Sequence, residues 1–147
     1  LCVELAVPLV LHPAVVHFPI ALLLLNLPLT LMYLRRNDPF LERAAYGALV
    51  LGWWSAFAAI LTGTLDLALN WPLPTDVVNW INLHAASGLA LLVTYGQALV
   101  RRRRDPRILH GPKRRGYLML LGIGVALVVL SGWVGGHLVY GLGFGVR

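Results

Sequence analysis

The sequence is short of charge. Only 12% of its 147 residues are Asp, Glu, Lys or Arg, about half the roughly 25% of an ordinary soluble domain. Hydrophobic residues make up 59%, more apolar surface than one soluble core of this length can hide. A bilayer removes that constraint. Cysteine is nearly absent. The single Cys2 excludes an internal disulfide and a cysteine-built metal centre, and its neighbours form no convincing lipobox. Motifs for common chemistries are missing too: no Ser-His-Asp triad, no phosphate-binding loop, no dinucleotide fingerprint, no metalloprotease motif. The paired broken helices and inverted repeats of a transporter are also lacking. With no repeat, low-complexity run or boundary, residues 1–147 read as one transmembrane domain. The chain starts at Leu1 rather than Met, which reads as a processed or trimmed end. Residues 1–11 hold Glu4 and Pro8 without a basic flank, so they are not read as a signal peptide.

What is abundant is long apolar runs. A helix needs about 20 apolar residues to cross the hydrocarbon. Four segments qualify, at about 13–34, 41–70, 77–100 and 116–140. Asn37-Asp38-Pro39 breaks the first from the second. Trp71-Pro72-Leu73-Pro74-Thr75-Asp76 breaks the second from the third, with Asp76 placed to cap the third helix. The stretch 101–115, with Pro106 and Gly111-Pro112, breaks the third from the fourth. The fold expected is all-α: an integral membrane four-helix bundle, up-down-up-down, with both termini non-cytoplasmic.

Basic residues orient it. Arg35, Arg36 and Arg43 flank the first connection. Arg101, Arg102, Arg103, Arg104, Arg107, Lys113, Arg114 and Arg115 flank the third. Eleven of the twelve Lys and Arg thus mark two connections as cytoplasmic. The expected location is a bacterial inner (plasma) membrane, multi-pass. The formal charge of +6 is read as this topology signal meeting anionic lipid head groups, not as nucleic-acid binding.

Histidine is the residue that calls for explanation. His110 lies in the basic loop and reads as incidental. The other four lie towards the opposite side. At about 1.5 Å per residue, His17 stands about 27 Å from Arg35, and His84 about 25 Å from Arg101. His137 and Asp66 stand at about 33 and 35 Å on the same scale, with His12 near the same boundary. An inner pair, His17 and His84, is thus expected inside an outer set of His12, His137 and Asp66. Helices one and three are diagonal in such a bundle, so two level imidazoles suit the axial positions of a b-type haem iron. Small residues beside them, Gly88 after His84 and Gly136 before His137, leave room for a flat macrocycle. Four histidines would allow a second haem. Two alternatives stand beside this reading. One is a cofactor-free structural subunit, in which Gly132 and Gly136 simply pack helices. The other is a His/Asp metal site for zinc, copper or iron.

The remaining polar and aromatic residues read more simply. Trp71, Trp80, Trp133 and Tyr140 form an interfacial aromatic belt. Trp53 and Trp54 lie deeper, facing lipid or a partner. Asn26 and Gln97 are candidates for buried interhelical hydrogen bonds. Pro19 and Pro28 are placed to kink the first span.

Certain motifs carry a resemblance over nearly the whole chain. They are His12-Pro13-x-x-x-His17-Phe18-Pro19, Thr62-Gly63-x-x-Asp66, His84, and Ser131-Gly132-Trp133-x-Gly135-Gly136-His137-Leu138-Val139-Tyr140. In these the chain resembles the bacterial membrane family called "domain of unknown function 2231". The resemblance implies a four-helix membrane domain and redox work, since relatives are joined to Rieske-type or cytochrome-like modules. The function expected is a haem-b electron-transfer subunit, with His17 and His84 as axial ligands and His12, His137, Gly88 and Gly136 nearby. Its expected partners are the lipid bilayer, other subunits of a respiratory or photosynthetic complex, and a c-type cytochrome or quinone.

The charge count makes a direct prediction. Alkaline phosphatase fused after His110 will be inactive, because that loop is cytoplasmic. Fused after Arg147 it will be active.

Overall fold

The computed structural model describes residues 11–69, 73 and 75–144, excepting the side chain of Asp76. The described residues contain no strand. Five α-helical segments follow one another: α1 (His12–Val15), α2 (His17–Arg36), α3 (Pro39–Leu69), α4 (Thr75–Arg104) and α5 (Arg114–Gly136). A π-helical turn, His137–Gly141, extends α5. Four helices are long and apolar enough to cross a membrane: His12–Arg36, Pro39–Leu69, Val77–Arg104 and Arg114–Gly141. The 31 residues of α3 reach about 46 Å, past a hydrocarbon core of about 30 Å. The helix is therefore longer than a bilayer's hydrocarbon core is thick.

The first span is interrupted at Val16, a helical turn before Pro19. Pro19 has no N–H to offer the carbonyl one turn back. The interruption stays mild, because Val16 donates to the His12 carbonyl and Ile20 to that of Val16. Asn37, at φ 51°, closes α2 in the left-handed conformation that asparagine tolerates. Asp38 then opens α3, its carboxylate accepting from the Phe40 N–H at 2.8 Å. The expected cap of the third long helix shifts. The helix already begins at Thr75, so Asp76 stands inside its first turn.

Helix α2 packs on α3 and α5, and α4 packs on α5 and α3. The diagonal is closed by one side chain. Tyr95 on α4 is 1% exposed and donates its hydroxyl to the Leu23 carbonyl on α2 at 3.2 Å. Gly124 on α5 makes room for that ring: a Cβ there would lie 2.6 Å from Tyr95 Cζ. Asn26, 2% exposed, donates to the Ala45 carbonyl at 2.8 Å, tying α2 to α3. Trp53 donates to the Leu92 carbonyl at 3.0 Å, tying α3 to α4, and lies against Gly96. It therefore packs inside the bundle rather than facing lipid, as its sequence position suggested. Its neighbour Trp54 is the exposed one. Gln97 is likewise exposed, so only Asn26 fills the buried polar role expected of both.

Substitution at Gly124 tests the tyrosine bridge. Gly124→Ala will destabilise the bundle by about 1–3 kcal/mol, as overpacked cores do. Gly122→Ala, whose Cβ meets nothing within 4 Å, will not. Thermal unfolding in detergent reads the difference.

Candidate functional site

The contacts sort the polar side chains into two ends of the bundle. At one end are the start of the first span, the end of α3, the start of α4 and the end of α5. Here His12 and His84 meet, ring centres 5.8 Å apart and planes at 82°. This is not the expected pair. His17 is exposed, and helical geometry explains why. Five residues at 100° each put His17 about 140° around the helix from His12, so both cannot face the core. Depth along the axis made His17 level with His84 but carried no information about direction.

Each ring is held by a carbonyl on a neighbouring helix. His12 Nδ1 lies 2.7 Å from the Ala59 carbonyl of α3. His84 Nδ1 lies 3.1 Å from the Ser131 carbonyl of α5. A carbonyl only accepts, so in each ring Nδ1 carries the proton. In a neutral imidazole the lone pair is then on Nε2. Glycines complete both seats. A Cβ on Gly63 would come within 2.9 Å of His12 Nδ1, and one on Gly135 within 3.0 Å of His84 Cε1. Asp66 holds the chain entering the site, its carboxylate accepting from the His12 N–H at 2.9 Å and the Leu11 N–H at 3.4 Å. The expected company of His12 and Asp66 is thus a direct contact. The Ala59 carbonyl also accepts from Thr62 Oγ1 at 3.0 Å. Ser87, 5% exposed, donates to the carbonyl of His84 at 2.8 Å.

His137 belongs to a separate aromatic group. Its ring centre is 4.4 Å from that of Trp80 and 6.2 Å from that of Trp133, nearly parallel to the latter at 18°. It lies over Gly141, where a Cβ would come within 2.6 Å of Nδ1. The widened turn is closed by Leu142 donating to the His137 carbonyl at 3.0 Å. Gly88, Gly132 and Gly136 border open space, with nothing within 4 Å of an added Cβ. Trp71 lies outside the described residues. Among the described residues, no three His, Cys, Asp or Glu side chains are grouped to hold a metal ion.

The other end carries the arginines. Arg102 is 9% exposed and pairs with Glu42, and it donates to the Pro106 carbonyl. His110 is not incidental: its Nε2 lies 2.7 Å from the Tyr33 hydroxyl, pinning the loop to α2.

Sequence reasoning missed the two accepting carbonyls and the glycines under the rings. A partial signal existed, since Gly63 and Gly135 both lie in the motifs that hold Asp66 and His137.

One substitution probes the seat directly. Gly135→Ala will displace the His84 ring from the Ser131 carbonyl. Nitrogen-15 NMR of the imidazole will register a mixed tautomer, while Gly88→Ala will leave the signal unchanged.

No curated protein and no solved structure matches the chain. A family model does match, over residues 8–147. With its four membrane-length helices and its paired imidazoles, the chain belongs to the family of predicted membrane proteins called "domain of unknown function 2231".

Proposed function

We propose that this protein is a membrane-embedded electron-transfer subunit in which His12 and His84 hold the iron of a b-type haem. The observation that carries the reading is the matched state of the two rings. Each Nδ1 faces a backbone carbonyl, which calls for the proton there and, in a neutral ring, leaves Nε2 as the nitrogen with a lone pair. Histidines that bind metals are held in this way, with the outer hydrogen bond fixing tautomer and ring direction and raising basicity. The two rings lie close together, with centres 5.8 Å apart, so one group could reach both. Open space beside Gly88, Gly132 and Gly136 leaves the flanks of α4 and α5 free of bulk. The residues therefore fit the group.

A haem iron bound there would take up and release one electron at a time. The chain's own part is to hold two imidazoles still. Asp66 fixes the backbone that carries His12. Ala59 and Ser131 fix the ring angles. His17 has no part in this pair. His137, clustered with Trp80 and Trp133, stands apart from it and is the remaining candidate for a second haem. The charge distribution supports an up-down-up-down bundle in a bacterial plasma membrane, with the arginine end cytoplasmic and the histidine end outside. Electron partners of matching chemistry are a quinol, a c-type cytochrome, or neighbouring subunits of a respiratory or photosynthetic complex.

A cofactor-free structural subunit is the second reading. It draws on the same hydrogen bonds, which join α1 to α3 and α4 to α5 whatever the rings hold.

A pyridine haemochrome assay on purified protein separates the two. Haem b in stoichiometric amount is expected. His12→Ala and His84→Ala will each abolish the Soret band, whereas His17→Ala and His110→Ala will keep it. Colourless, folded protein from haem-sufficient cells would sink the haem reading and leave the structural one.

A further inference from the structure

The arginine end contains a groove that the haem reading does not use. It measures about 370 Å³ and is lined by Glu42, Arg43, Tyr46, Arg102, Arg103 and Pro106. Three of its six residues are arginines, from the start of α3 and the end of α4. Glu42 supplies the lining's one carboxylate, and it is already engaged by Arg102. The groove therefore keeps the net charge of two guanidiniums. Arg43 and Arg103 are exposed, with side chains free to close over a ligand. Arg102 differs from its neighbours in the basic run. It is buried and shares itself between Glu42 and the Pro106 carbonyl, which gives the groove a fixed floor.

Behind that floor lies a cavity of about 10 Å³, which shares Glu42, Tyr46 and Arg102 with the groove. Asn26, 2% exposed, lines it too, and its Oδ1 is buried without a hydrogen-bond partner. The polar surface therefore continues inward from the groove.

We infer that this groove is a specific site for the phosphodiester head group of an anionic phospholipid. Guanidinium pairs match phosphate oxygens in charge and in fork geometry. The volume falls in the range of small-ligand pockets. Its position, at the first turns of one membrane-length helix and the last turn of another, is the depth at which head groups lie. Basic pockets between transmembrane helices bind lipid head groups in this manner. The inference is independent of whether the histidine end holds haem.

Delipidated protein in neutral detergent, titrated with phosphatidylglycerol, tests it by native mass spectrometry. Arg43→Gln/Arg103→Gln leaves the Arg102–Glu42 pair intact, so folding is not at stake. Arg104→Gln/Arg107→Gln removes the same charge outside the groove. Phosphatidylglycerol is expected to bind the unaltered protein in preference to phosphatidylcholine. The groove variant should bind it about tenfold more weakly, and the control variant should match the unaltered protein. Equal weakening in both variants would reduce the effect to diffuse charge and overturn the site. Equal binding of phosphatidylcholine would also overturn it. Inorganic phosphate in millimolar amounts should not displace the lipid. If it does, the source is free phosphate and the lipid assignment fails.

Discussion

In hydrocarbon a backbone has nothing to hydrogen-bond except protein. The helices satisfy themselves, and what remains for joining them is packing plus the few polar side chains that can reach across. In this bundle five of those side chains share one kind of target, a backbone carbonyl on another helix. Asn26 reaches Ala45, Trp53 reaches Leu92, and Tyr95 reaches Leu23. His12 reaches Ala59 and His84 reaches Ser131. Together these five bonds link α2 to α3, α3 to α4, α4 to α2, α1 to α3 and α4 to α5. A helical carbonyl can accept a second donor without giving up its own ladder bond, so the links cost the helices little. Such bonds contribute modestly each, since the unfolded chain in a membrane also finds partners. Their value lies as much in direction: each demands one rotation of the donor helix about its axis.

That demand settles what the histidines are. A ring that must donate from Nδ1 to a fixed carbonyl has its tautomer, its plane and its remaining nitrogen decided together. For His12, and again for His84, the interhelical link and the orientation of the ring are therefore one event. His137 meets a different constraint. Its ring is clustered with two indoles and lies over Gly141, a setting of contact rather than donation.

The elements legible from sequence are those governed by hydropathy and by chain punctuation. All four spans could be placed to within a few residues, because apolar length and Asn-Asp-Pro breaks act locally. The layer of polar groups at one end was also legible, since depth is linear in residue number. Rotation about the axis was not. Placing His17 with His84 respected depth, while the structure pairs His84 with His12, and the 140° between positions 12 and 17 decides between them. Trp53 and Gln97 also turned on rotation, and for Trp53 the reason is that in so apolar a helix as α3 the periodicity that reveals an inward face is weak. The basic run had the opposite problem. Four consecutive arginines look equivalent, yet on a helix one of four must turn inward, and Arg102 does so because Glu42 is there to receive it.

The two ends of the bundle thus solve the same problem with different materials. At the histidine end, ring nitrogens answer backbone carbonyls, and the Asp66 carboxylate holds the entering chain. At the arginine end, a buried ion pair is held between α3 and α4, where losing either partner would strand a charge. The core between them is sealed by Leu23, Leu49, Leu121 and Tyr95, and the Tyr95 hydroxyl is spent on Leu23. No chain of polar side chains is therefore needed from one end to the other for the fold to stand. The histidine end and the arginine end can therefore vary separately, each anchored by its own interhelical bonds.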